Sequence, residues 1–75
     1  MNTTSCVMHV SKIDGTMTVY DDCSDDDREA FDGAEALYEC DPWVDGVAIV
    51  HETRGLIYVV GEINVTDLKY SIPGG

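Results

Sequence analysis

Both faces of the stretch "GVAIVHETRGLIYVVGE" are apolar, and this restricts the fold more than any other segment does. Two β-rich runs, Val47 to Glu52 and Leu56 to Gly61, flank Arg54-Gly55 and predict a hairpin turning there. Strand side chains alternate, so Val47, Ile49, Tyr58 and Val60 share one face while Ala48, Val50, Ile57 and Val59 share the other. Strands of this kind belong in the middle of a sheet, covered on at least one side. His51 is expected across from Tyr58.

A first hairpin is marked by "SKIDGTMTV", with Asp14-Gly15 between alternating runs. A two-residue type I′ turn there sets Val10 against Val19 and Lys12 against Met17 on a core face that includes Met8. It sets Ser11 against Thr18 and His9 against Tyr20 on a wet face. The same register sets Cys6 opposite Cys23, where a disulfide is geometrically conceivable. Three cysteines without a CxxC spacing otherwise read as reduced thiols and argue against a zinc site.

Between the hairpins, Ser24 can cap a helix running from about Asp25 to Cys40. Asp25, Asp26 and Asp27 then sit in the first turn, where the helix dipole favours negative charge. At helical spacing Ala30, Phe31, Ala34, Leu37 and Tyr38 form one stripe, with Asp25, Arg28, Asp32, Glu35 and Glu39 opposite. Pro42 ends the helix, because the residue before a proline is pushed out of the helical region. In the tail, Leu68, Tyr70 and Ile72 alternate like a short last strand, while Thr66 could equally cap one helical turn. The order ββαββ predicts an α+β sandwich in two layers, one helix on a mostly antiparallel sheet of four or five strands. Seventy-five residues make a single domain, whose core supplies about 3–5 kcal/mol of net stability.

Charge is the other constraint. From Asp21 to Asp45 eleven acidic residues face one base, Arg28, so most of the net charge of −11 lies in a third of the chain. Direct nucleic-acid binding is excluded, since phosphate contacts need Lys and Arg and only four are present. "DDCSDDDREAFDG" lacks the ligand ladder of a calcium loop. No nucleophile elbow or glycine-rich loop joins Cys6, Cys23 or Cys40 to His9 or His51. The expectation is a non-enzymatic protein without cofactor or metal. The apolar runs are too short for a membrane span, and "MNTTSCVMHV" lacks the apolar stretch of a secretory signal, so the cytoplasm is the expected compartment.

A charge run is ordinarily a solvated face, or a halophile's surface, but solvent adaptation would spread acids over the whole chain and the second hairpin is nearly neutral. The functional reading is a negative patch for a basic partner surface. It comprises Asp21, Asp22, Asp25, Asp26, Asp32, Glu35, Glu39, Asp41 and Asp45, with Trp43 in the loop "DPWVDG". Acids at 25, 32, 35 and 39 recur about every turn, roughly 5 to 10 Å apart, comparable to phosphate separations. Trp43 either folds back over the helix end, the better expectation, or stands exposed as an anchor.

With "DDCSDDDREAFDGAEALYECD" on a compact α+β body, the chain resembles the small acidic anti-defence proteins of phages, including anti-CRISPR proteins that imitate DNA. That resemblance implies inhibition of a bacterial nucleic-acid-handling complex, in the host cytoplasm, by occupation of its DNA groove. A second resemblance is to ubiquitin-like β-grasp modifiers and sulfur carriers. It rests on the ending "YSIPGG", the length, the element order and "ALYECDPWVDGVAIVHETRG", and it implies that Gly74 and Gly75 are the adenylated or conjugated tail.

Overall fold

The computed structural model describes residues 6–20 and 26–68. Strands β1 (Cys6–Lys12) and β2 (Met17–Tyr20) precede helix α1 (Asp27–Cys40), followed by β3 (Val44–His51), β4 (Gly55–Gly61) and a 3-10 turn, Val65–Asp67. The four strands form one antiparallel sheet in the order β2-β1-β3-β4. This is the expected α+β architecture, one helix on a sheet. Strand β3 lies centrally as its two apolar faces require, whereas β4 is an edge strand among the described residues. No helix among the described residues is long and apolar enough to cross a membrane.

The stripe on α1 does what its spacing predicts. Ala30 and Ala34 are buried, and Phe31, Leu37 and Tyr38 pack beside them on Cys6, Val10, Val44, Val47 and Ile49. The two alanines let the helix approach β3 and β4 closely, and the Phe31 ring stacks on Tyr58 at 4.9 Å. Full burial of Val47 and Ile49 contributes about 1.5–3 kcal/mol each. The helix starts two residues later than expected. Its N-cap is Asp26, whose carboxylate accepts from the Arg28 N–H at 3.0 Å, while Ser24 and Asp25 lie outside the described residues.

The register of the first hairpin is displaced by one residue. Met8 faces Tyr20, His9 faces Val19, Val10 faces Thr18 and Ser11 faces Met17. A type I′ turn needs positive φ at both central residues, but only Gly15 has it, at 92°. Asp14 instead turns its carboxylate onto the backbone N–H and hydroxyl of Thr16, at 3.0 and 2.7 Å. The loop becomes three residues, Ile13 to Gly15, closed by Gly15 N–H to Lys12 C=O at 3.0 Å and Lys12 N–H to Thr16 C=O at 2.9 Å. One step of register moves a whole strand's side chains to the other face. Met17 and Val19 therefore share a face with Ser11 and His9.

That face is covered at its centre, although Val19 and Val59 on its flanks stay exposed. His9 is fully buried, and Ala48, Val50 and Leu68 make a second small core there with Met17, Leu56 and Ile63 against it. The sheet is covered below by the segment after β4, which enters its 3-10 turn with the Asn64 side chain accepting from the Thr66 N–H and hydroxyl. The cap is thus Asn64 rather than Thr66. Tyr70 and Ile72 of the expected last strand, the Gly74-Gly75 tail and Cys23 lie outside the described residues.

Two β-bulges adjust the faces. At Ile49/Val50 the pairing jumps from Tyr58 to Leu56, so Ile57 is the extra residue and joins Tyr58 in the helix-side core instead of lining the opposite face with Ala48. At Ser11/Lys12 the pairing jumps from Gly46 to Val44, making Asp45 the extra residue. Strict alternation would aim Asp45 with Val47 into the core. The bulge turns it to solvent and returns Val44 inward.

Candidate functional site

The acidic surface is built on α1. Asp32, Glu35 and Glu39 are exposed on the side of the helix away from its buried stripe. Spaced three and four residues apart, they stand side by side over about 10 Å of helix axis. No cation among the described residues pairs with them. Like charges at this spacing weaken a helix by about 0.2–0.5 kcal/mol per pair, so the row is a standing cost to the fold. Its field is felt on β4. Burial raises the pKa of the Tyr58 phenol above its ordinary value, and the negative charges of Glu35, Glu39 and Asp32 raise it further.

The helix start uses its acids differently. Asp26 is the cap, and Asp27 receives both guanidinium nitrogens of Arg54 from the β3–β4 turn, at 2.9 and 3.0 Å. This bond, more than the accompanying charge attraction, lowers the Asp27 pKa and raises that of Arg54. His51 shapes the same turn. It lies across from Gly55 rather than Tyr58, and its Nδ1 accepts from the Thr53 and Arg54 N–H groups at 3.1 Å. His9, expected opposite Tyr20, lies across from Val19 and Ala48.

Beyond the helix end, Asp41 accepts from the Trp43 N–H through its side chain at 2.9 Å, and its own N–H bonds Leu37 C=O at 3.1 Å. This tight turn projects the indole outward. Trp43 is 61% exposed, contrary to the expectation that it folds back over the helix. Asp45 is exposed beside it.

Of the residues expected to contact a partner, Asp32, Glu35, Glu39, Asp41, Trp43 and Asp45 follow one another along the helix and around its C-terminal end. Asp26 lies at the start of the helix, about 9 Å along the axis from Asp32 and about 20 Å from the C-terminal end, and Asp21, Asp22 and Asp25 lie outside the described residues. The sequence reading passed over Ile13, which is 57% exposed and bonds through its N–H to Trp43 C=O at 2.9 Å. An apolar residue inside a turn motif was the available signal. It also passed over Glu62, tied by its N–H to Asp45 C=O at 3.0 Å.

Among the described residues no group of three His, Cys, Asp or Glu side chains is placed to hold a metal ion. Cys6 is buried and Cys40 exposed. Compared with protein-family models, curated proteins and solved structures, the chain matches none.

Proposed function

We propose that this chain is a non-enzymatic acidic binding protein. It occupies a basic, nucleic-acid-binding surface of a protein partner, as a phage inhibitor of a bacterial defence complex such as CRISPR-Cas would. The observation that carries this reading is the row Asp32, Glu35 and Glu39, exposed, side by side and without a cation among the described residues. A fold gains nothing from such a row, whereas a groove lined by Lys and Arg supplies the missing counter-charge and is steered to it over a Debye length of about 8–10 Å. Complementary charge acts mainly on association rate and choice of partner.

The test is displacement of duplex DNA from purified DNA-binding effector complexes. The wild type is expected to release DNA, with an association rate that falls steeply between about 50 and 500 mM salt. The triple variant Asp32→Asn, Glu35→Gln, Glu39→Gln is expected to leave DNA bound while keeping its fold. Equal displacement by both proteins, or a rate flat in salt, removes the reading and leaves the acids as a solvated face.

A further inference from the structure

We infer that Trp43 and Ile13 form the apolar anchor of a protein-binding surface, one that seats in an apolar cleft rimmed by lysine and arginine on the partner. These are the two most exposed large hydrophobic side chains among the described residues, at 61% and 57%. They come from loops 30 residues apart in sequence and are brought together by the Ile13 N–H to Trp43 C=O bond. Both loops are held from within. Asp41 fixes the Trp43 backbone through its carboxylate and the Val44 N–H through its carbonyl, and Asp14 fixes the turn that carries Ile13. A pair presented on fixed backbone loses little conformational freedom when a partner covers it.

The surroundings identify the occupant. Asp14, Asp41, Asp45 and Glu62 lie on the same end of the molecule, against one base among the described residues, Lys12. A second copy of this chain meeting the pair across a two-fold axis would bring those carboxylates face to face. A nucleic acid or an anionic membrane would be repelled for the same reason. An apolar cleft with a basic rim satisfies both the indole and the acids, in the manner of an aromatic hot spot inside a charged ring. The inference rests on the function proposed above for the basic character of the partner, but it moves the centre of the contact from the helix face to the loops at its C-terminal end.

Trp43 is the sole tryptophan, so its emission reports directly on this surface. The full chain is titrated with two synthetic peptides of equal positive charge, an oligolysine and an amphipathic lysine–leucine helix. Affinity is read from labelled-peptide anisotropy and burial from Trp43 emission. The lysine–leucine peptide is expected to bind at least about tenfold more tightly and to shift the emission to the blue. Trp43→Ala and Ile13→Ser, with unchanged circular dichroism, are each expected to erase that preference while oligolysine binding stays the same. Equal affinity for the two peptides with Trp43 still emitting as a water-exposed indole overturns the inference. So does wild-type self-association in sedimentation that Trp43→Ala abolishes. The Asp32, Glu35, Glu39 triple variant separates the two readings. If it binds both peptides like the wild type and keeps the preference, the helix-face reading fails and the anchor stands.

Discussion

At the end of the sheet where β3 turns into β4, the acids of the helix start are engaged by the fold. Asp26 caps α1, Asp27 grips Arg54 through two hydrogen bonds, and Arg28 stands beside them. At the opposite end, where the β1–β2 turn meets the end of α1, Asp14, Glu39, Asp41, Asp45 and Glu62 gather with Lys12 as the one base among the described residues, around two exposed apolar side chains. One contiguous acidic block in the sequence thus performs two kinds of work. Asp26 and Asp27 stabilise a helix terminus, while Glu39, Asp41 and Asp45 present charge with no ion-pair partner among the described residues. The total of −11 therefore does not say which charges the fold leaves without partners; for the proposed binding role, the end with a single base among the described residues is the better guide.

The largest effect is expected where the second end is built on backbone contact. Gly61 has φ of 75°, and a Cβ there would run into the Asp45 carbonyl and the Tyr38 ring. Gly61→Ala should cost about 3 kcal/mol or more and unfold much of the protein, read from urea denaturation. Gly15 has φ of 92° but open space around it, so Gly15→Ala should cost only about 1–2 kcal/mol. Equal tolerance at the two sites would mean that the Trp43 end is not held by the close approach of Gly61 to the Asp45 carbonyl and the Tyr38 ring.

A smaller effect sharpens the middle ground between the ends. The Tyr58 phenol has a raised pKa, so its contribution to stability is present below its ordinary value of 10.0 and is lost as pH rises through the folded value. Burial dominates this shift and the helix carboxylates add to it, so Glu35→Gln should lower the Tyr58 titration without returning it to 10.0. Ultraviolet difference titration against Tyr58→Phe isolates the signal from the other tyrosines. An unmoved midpoint would show that the helix row does not reach β4.

The smallest effect belongs to the Arg54 end. The bond from Arg54 depresses the Asp27 pKa, so its stabilisation is present above 3.8 and disappears as pH falls through the folded value. The gap in melting temperature between the wild type and Asp27→Asn should be small at neutral pH, because the pair is exposed, and should close under acid conditions below pH 3.8. A gap that persists in acid would point to the helix-dipole position of Asp27 rather than to its partner.

What the sequence alone determined was whatever depends on contacts a few residues apart. The stripe from Ala30 to Tyr38 and the outward row of Asp32, Glu35 and Glu39 follow from a 3.6-residue repeat. Both hairpins and the stop at Pro42 follow from turn and proline chemistry, and the four-strand sheet with one helix follows from their order. Tertiary structure decided the rest, because those features turn on energies shared between distant segments. Asp14 had two ways to make its turn, and choosing the side-chain bond to Thr16 displaced the register and reassigned Met17 and Val19. The face read as wet was covered by Ile63 and Leu68, which no local period announces. Single extra residues at Asp45 and Ile57 re-aimed their neighbours, since a bulge is set by the pairing of two strands and not by the composition of either. Trp43 and Ile13 became one surface only when the helix end and the first turn were brought into hydrogen-bonding distance.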